Sequence, residues 1–176
     1  MSNPLLEPLS HLSSRWETRP LNQVANICAG GTPNRSVATY WGGDIPWVTP
    51  TELTHLSTKT LSETKESITL AGLQNSAAIL LPKGTLLFTS RATVGNVAIS
   101  DIPCTTNQGF KNLIFKAGSS VDFYYHLFKF MKNEFVKRAS GSTFLELSTA
   151  QLAQIHVPVP EIKEQQQIAE ILDTLR

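Results

Sequence analysis

Seven short blocks that run in order along the chain are its most constraining feature. In order they are Gly30-Gly31-Thr32-Pro33 and residues 40–47 (YWGGDIPW), 82–87 (PKGTLL), 89–95 (TSRATVG), 106–110 (TNQGF), 139–144 (ASGSTF) and 158–169 (PVPEIKEQQQIA). Glycine opens unusual backbone angles, proline fixes φ, and Asn, Ser and Thr bond to their own backbone, so such blocks turn the chain rather than extend it. Short strands and short helices are what remain.

Residues 16–27 (WETRPLNQVANI) read as a strand feeding the loop GGTPNRS. Tyr40, Trp41 and Trp47 crowd around Gly42-Gly43, either as a packed core corner or, if exposed, as rings that stack on an unpaired base. Residues 45–48 follow as a short strand, which Pro46 assigns to a sheet edge or strand start because proline cannot donate to a ladder. Residues 68–81 open as a short helix. Residues 85–90 (TLLFTS) read as a buried strand, Gly95 permits a tight turn, and residues 97–99 return as a hairpin partner, bringing Ser90 and Arg91 to a strand end. Residues 105–109 form another turn and residues 112–115 another strand.

The clearest helix spans residues 122–137, where Tyr124, Phe128, Met131 and Phe135 recur at spacings of four, three and four and so share one face. Leu147-Ser148 with Gln151-Leu152 mark a short helix before residues 155–158. After Pro160 a Glu/Gln-rich helix places Ile168, Leu172 and Leu175 along one side; its seam holds roughly two heptads, marginal for an independent coiled coil. At the other end, Leu5, Leu6, Leu9 and Leu12, interrupted by Pro4 and Pro8, read as a short docking segment. The expected fold class is α/β of the α+β kind: a mixed, mostly antiparallel, short-stranded sheet with packed helices and a C-terminal helix.

Composition sets the outer bounds. The 176 residues, 41% hydrophobic and 16% charged, fit one globular domain with an appendage. No apolar run approaches the roughly 18 residues of a membrane span, and no basic start followed by an apolar stretch marks a signal peptide, so a cytoplasmic location is expected. Cys28 and Cys104 lack disulfide or zinc-ligand spacing and read as reduced packing residues; the four histidines are scattered, and no metal site is expected. A net charge of +1 does not by itself advertise a nucleic-acid partner. Nor does the chain advertise catalysis. It has no phosphate-cradling G-x-x-x-x-G-K-[ST] loop, no methyltransferase cofactor loop with an Asn/Asp-Pro-Pro-aromatic tetrapeptide, and no Gly-x-Ser-x-Gly elbow around Ser90. Glu161 and Lys163, a nuclease-like pair, fall on a helix turn. No catalytic residue is assigned.

Taken as an ordered set over roughly residues 15 to 176, the seven blocks resemble the target-recognition domain of the DNA specificity subunit of type I restriction-modification enzymes. The resemblance implies a fold like the DNA-recognition domain of some adenine methyltransferases. It also implies sequence-specific double-stranded DNA binding that directs adenine methylation and restriction by partner subunits: a methyltransferase (modification) subunit and a restriction/translocase subunit. S-adenosylmethionine, Mg²⁺ and ATP would then belong to those partners, with no cofactor in this chain. The implied division is an N-terminal docking segment at residues 1–14, a recognition domain at 15–160, and at 161–176 the start of a helix for dimerisation or subunit docking. With one recognition domain in view, the chain reads as a half-size subunit or a fragment, and two copies joined through Ile168, Leu172 and Leu175 would read an inverted repeat.

DNA reading needs groups that position phosphates and groups that discriminate bases. Arg35, Lys111, Lys137 and Arg138, with Ser142 and Thr143 in the Ser140-Gly141 loop, suit the first; Arg91, Asn107 and Gln108 suit the second, with Ser90 beside Arg91. Each has a plainer role open to it: Asn107 capping a turn, Gln108 bonding to a neighbouring loop, Lys137 and Arg138 lying on a solvated helix face. Blocks shared across a family whose targets differ should be largely structural, so base readers could instead lie within residues 49–74, among Thr51, Glu52, Thr54, Lys59, Thr60 and Lys65. The alternative function is an assembly or decoy module that binds the methyltransferase or another specificity subunit without reading DNA.

Overall fold

The hydrophobic run at residues 85–90 forms the strand around which the other elements are arranged. A computed structural model describes residues 16–141 and 145–175; the docking segment expected at residues 1–14 lies outside them. In chain order the elements are β1 (Glu17–Pro20), α1 (Leu21–Val24), β2 (Ala25–Ala29), β3 (Trp41–Val48), α2 (Pro50–His55), β4 (Thr60–Leu61), β5 (Glu66–Ile68), α3 (Leu70–Gln74) and β6 (Leu86–Phe88). There follow β7 (Val97–Ser100), β8 (Thr105–Thr106), β9 (Lys111–Phe115), α4 (Val121–Phe130), α5 (Lys132–Arg138), α6 (Thr149–Ala153), β10 (His156–Val159) and α7 (Ile162–Thr174). The class is the expected mixed, mostly antiparallel one. The strands fall into three sheets, ordered β2-β9-β6-β7-β4, β5-β3-β8 and β1-β10, in which only β3 with β8 and β4 with β7 run parallel.

Strand β6 is buried on both sides, which is why its sequence is continuously apolar rather than alternating. Leu86 and Phe88 join a core built with Leu113, Tyr124, Phe128 and Phe135, whereas Leu87 joins Val48, Leu53, Leu61, Leu81 and Phe110 in a second core. This sorting follows from the two-residue period of a strand. Phe88 meets the rings of Phe128 and Phe135 edge-on, with centroids 5.6 and 5.0 Å away, contacts worth about 0.5–1.5 kcal/mol each beyond their burial. The expected hairpin is present, with Leu86 to Phe88 paired antiparallel to Val97, Ala98 and Ile99. Cys104 sits in the second core, where burial pushes its thiol up to about 12. No helix among the described residues is long and apolar enough to cross a membrane.

Three local readings change. Residues 16–27 are not one strand: Pro20 presets the backbone for one helical turn, α1, which buries Leu21 and Val24 before β2 begins. Pro46 lies on the central strand of its sheet, not at an edge; β5 pairs with it through Ser67, but β8 begins pairing only at Trp47, and Thr105 Oγ1 donates to the Pro46 carbonyl at 2.9 Å. The helix at 122–137 is two helices separated at Met131. All four residues of its apolar stripe are nevertheless buried, and no glycine or proline marks the break.

The terminal helix is pinned by one side chain. Gln165, fully buried, accepts from Ser120 N at 2.8 Å and donates to the carbonyls of Pro160 at 2.8 Å and Gly118 at 3.2 Å. Farther along, Lys59 Nζ reaches Asp173 and Asp122, both at 2.5 Å, and His126 Nε2 meets Asp173 at 2.8 Å. Gln165→Ala strands three polar groups, each worth about 1–3 kcal/mol when left unpaired in the interior. We expect urea denaturation to show a loss of at least about 2 kcal/mol, whereas Gln166→Ala, at an exposed position of the same helix, should stay within about 0.5 kcal/mol of the parent.

Candidate nucleic-acid interface

At the end of β2 the backbone of Gly30-Gly31 slips between two other segments. A Cβ on Gly30 would lie 1.9 Å from the Asn107 carbonyl oxygen, and one on Gly31 would lie 2.3 Å from backbone atoms of Ala77 and Ala78. Glycine is required by close approach, the plainest reason for a glycine pair at a loop start. Gly31 N donates to Thr106 O at 2.9 Å, and the Trp47 indole donates to Gly31 O at 3.0 Å. The loop of the first block is thereby fastened to the turn of the fifth.

That turn organises its neighbours. Asn107 Oδ1 accepts from Gly109 N at 2.8 Å, so its side chain builds the turn. Gln108 is exposed, and its Oε1 accepts from the Thr32 hydroxyl. Gly109 O takes bonds from Ser90 N at 2.7 Å, Ser90 Oγ at 3.1 Å and Arg91 N at 3.3 Å. The position a Gly109 Cβ would occupy is 3.0 Å from Pro50 Cγ, so α2 begins beside the same turn. Leu147 N donates to Ser90 O, and Ser140 and Glu146 exchange backbone bonds, each at 3.0 Å. Five separate stretches of sequence therefore meet around the Asn107–Gly109 turn.

Glu146 was not among the expected residues, and it is the electrostatic hub. Its carboxylate lies 2.8 Å from Arg91 Nε and 3.3 Å from Lys111 Nζ. Burial would raise this carboxyl, but the bonds from Arg91 and Lys111 outweigh it and hold Glu146 below its ordinary value of 4.5. The available signal was that Glu146 is the only charged residue in 139–148, a stretch otherwise suited to an anion-binding loop.

The expected residues divide by accessibility. Arg91 keeps nearly half its side chain exposed at 45%, and the next residue, Ala92, adopts φ +60, the left-handed region that costs a non-glycine residue about 1–3 kcal/mol. Ser90 and Lys111 are buried, with Lys111 Nζ 3.4 Å from Ser90 Oγ, so both groups already serve the fold. Arg35 is exposed but occupied: it pairs bidentately with Glu66 and stacks 3.8 Å from the Trp41 ring centroid. That contact resolves the aromatic block as a packed corner, in which Trp41 meets buried Trp47 edge-on at 5.0 Å. Lys137 is exposed, and Arg138 pairs with Glu134 at 2.9 Å; both precede the 139–147 loop. Ser142 and Thr143 lie outside the described residues.

Within residues 49–74, Thr51 and Thr54 are exposed on α2 and Lys65 is exposed beyond it. Glu52 is committed to capping α2 through Thr49 and to Lys65 N at 2.8 Å. On the terminal helix, Ile168 packs partly against the main core. Leu172 borders an apolar groove of about 380 Å³ with Trp16, Phe123, Leu127 and Phe130, and Leu175 is exposed.

Residues 13–176 match the family described as the type I restriction modification DNA specificity domain. The chain is 40% identical over 159 residues to the type I restriction enzyme MjaIX specificity subunit of Methanocaldococcus jannaschii, covering 89% of this chain and 37% of that protein. It is 28% identical over 173 residues to the EcoR124I/EcoR124II specificity subunit of Escherichia coli, covering 94% of this chain and 42% of that one. It thus spans about two fifths of the length of these curated relatives. Among solved structures, the HsdS subunit from Thermoanaerobacter tengcongensis shares the fold at a TM-score of 0.70 and 19% identity, over 90% of this chain and 37% of that one.

A carboxyl whose pKa is depressed on folding stabilises above its unfolded value and loses that contribution as pH falls through the folded one. Glu146→Gln is therefore expected to narrow its stability gap to the parent as pH drops from neutrality to below about 4.5. Paired urea titrations across that range measure the gap; one that stays constant with pH would show that the ionised carboxylate contributes nothing.

Proposed function

Since the chain belongs to the type I restriction modification DNA specificity family, we propose that it binds duplex DNA sequence-specifically and so directs adenine methylation and restriction by partner subunits. The observation that carries this reading is the meeting of five separate chain stretches around the turn that holds the half-exposed Arg91. An arginine reads guanine through two donors at once, on O6 and N7 in the major groove. Glu146 approaches Arg91 at Nε, an arrangement that would aim the terminal Nη edge outward while Gly109 fixes the backbone behind it. Gln108 is suited to an adenine edge, and Thr51 is a further exposed polar group on α2, the helix that begins beside the same turn. In this reading S-adenosylmethionine, Mg²⁺ and ATP are handled by the modification and restriction subunits.

An assembly role is supported by a different surface. Phe130 and Ile171 are each 61% exposed, Leu175 is 76% exposed, and Leu172 borders the groove between α4 and α7. We read this face as the docking site for the modification subunit or for a second copy of the chain, with residues 15–160 as the recognition unit and 161–176 as the connecting helix. Two copies related by a two-fold axis would read inverted half-sites.

The test is selection from randomised duplex DNA by the chain, alone and with its modification subunit, followed by sequencing of the bound pool. An enriched motif is expected, and an inverted repeat would identify a paired reader. Arg91→Ala should weaken binding to the selected duplex by about 5- to 150-fold, corresponding to about 1–3 kcal/mol for one bidentate contact, while its thermal transition stays close to the parent's. Leu172→Asp should leave DNA preference intact and abolish co-sedimentation with the partner. No enrichment in either mixture, with the partner still bound, would favour the assembly role alone.

A further inference from the structure

We propose that the groove between α2, the Gly95 turn and the junction of α4 with α5 seats the sugar–phosphate backbone of duplex DNA. The inference rests on the DNA-reading proposal and adds to it a binding surface apart from the Asn107–Gly109 turn.

It starts from a charge problem. The chain has 15 basic and 14 acidic residues, and phosphate binding requires cations that a neighbouring acid does not already neutralise. Seven of the thirteen cations among the described residues fail that requirement: Arg19 faces Glu17, Arg35 faces Glu66, Lys59 faces Asp122 and Asp173, Lys83 faces Asp101, Arg91 and Lys111 share Glu146, and Arg138 faces Glu134, while Lys65, Lys116, Lys137 and Lys163 lie elsewhere without an acid partner among those residues. Lys129 and Lys132 have no such carboxylate partner among the described residues. They stand on either side of the helix break at Met131, and both line the same groove of about 510 Å³. Thr54, Thr58, Asn96 and Tyr125 line it with them, and no carboxylate does. The Thr54 and Thr58 hydroxyls donate to the carbonyls of Pro50 and Thr60, but Asn96 Nδ2 keeps one hydrogen beyond its bond to Thr54, and an amide donor beside ammonium groups without an acid partner is chemistry that holds phosphodiesters.

The groove is also built in advance. Lys132 Nζ donates to Asn96 Oδ1 at 2.7 Å, and Asn96 Nδ2 donates to Thr54 Oγ1 at 3.3 Å. One of the three ammonium donors is used in this way, which fixes the head while two remain for a ligand. Lys129 Nζ lies 5.5 Å from the Tyr125 ring centroid, a contact that orients the charge without cancelling it. Gly95 makes the arrangement possible. Its φ of +93 turns the chain, and a Cβ there would lie 2.8 Å from Lys132 Cγ, so its bare backbone lets the lysine stem cross the loop to Asn96. That loop also carries Arg91, and Thr93 Oγ1 lies 3.5 Å from Thr54 Oγ1 at its other side. The loop that would hold a base-reading arginine at one end thus forms the wall of a phosphate seat at the other.

Equilibrium binding of the full chain, with its modification subunit present, to a selected duplex and to a scrambled duplex of equal length over a series of salt concentrations tests the assignment. Lys129→Gln and Lys132→Gln should each lower the slope of log affinity against log salt by about one, and the double variant by about two. Both duplexes should weaken by the same factor, so the preference between them is unchanged. Arg91→Ala, in contrast, should reduce that preference. A double variant with the parent's slope and affinity would overturn the groove while leaving the DNA-reading proposal standing. Failure of the unsubstituted chain to bind either duplex would overturn the DNA-reading proposal, and the groove with it.

Discussion

The close approach of Gly30-Gly31 to the backbone at Thr106-Asn107 and Ala77-Ala78 is the contact on which the candidate interface depends. Through it the end of the five-stranded sheet meets the three-stranded sheet, and the Trp47 indole locks the junction by donating to Gly31 O. Once the junction is made, the Asn107–Gly109 turn has a fixed position, and the Gly109 carbonyl can anchor Ser90 and Arg91. Behind it, buried Asn112 donates to Thr106 Oγ1 at 2.8 Å while its Oδ1 has no partner among the described residues.

Charge is used locally rather than globally. Seven of the thirteen cations among the described residues lie beside acids, and the pairs of Arg35, Arg91 and Arg138 hold arginines in place more than they attract a polyanion. Glu146 is the clearest case. It sits between a buried lysine and a half-exposed arginine, so that Lys111 satisfies one oxygen from below while Arg91 is held from the side. Arg35, stacked on Trp41 and paired with Glu66, is a comparable device at the rim of the three-stranded sheet. Exposed pairs of this kind add little stability; their effect is to restrict where a guanidinium can point.

The terminal helix is joined to the domain by polar anchors at both ends and by an apolar seam between them. Gln165 fastens its first turns to the Gly118–Ser120 loop, and Asp173 fastens its last to Lys59 and His126. Because Lys59 leads into β4 from the segment that follows α2, the helix that we read as a partner-docking element is in direct contact with the segment that supplies Thr58 to the groove beside α2. A displacement of the helix would have to break that ion pair, which ties the two proposed surfaces together mechanically.

Local features were legible before any coordinates. The hairpin around Gly95, the apolar stripe of Tyr124, Phe128, Met131 and Phe135, the short helix at Gln151-Leu152 and the helix after Pro160 all follow from turn chemistry and periodicity, which act over a few residues. So did the nearness of Arg91 to a strand end and the turn-building role of Asn107. What only the tertiary structure decided was everything that depends on partners distant in sequence. Ser90 and Lys111 are polar by composition but buried because β6 and β9 pair beneath them, and Pro46 is central because β5 and β8 pair on either side of β3. Glu146, Gln165, Lys129 and Lys132 owe their roles to whether a complementary group lies across a loop or groove. The residue types that chemistry requires are written in the chain, but an ion pair or a hydrogen bond forms only within a few ångströms, and that proximity is created by packing.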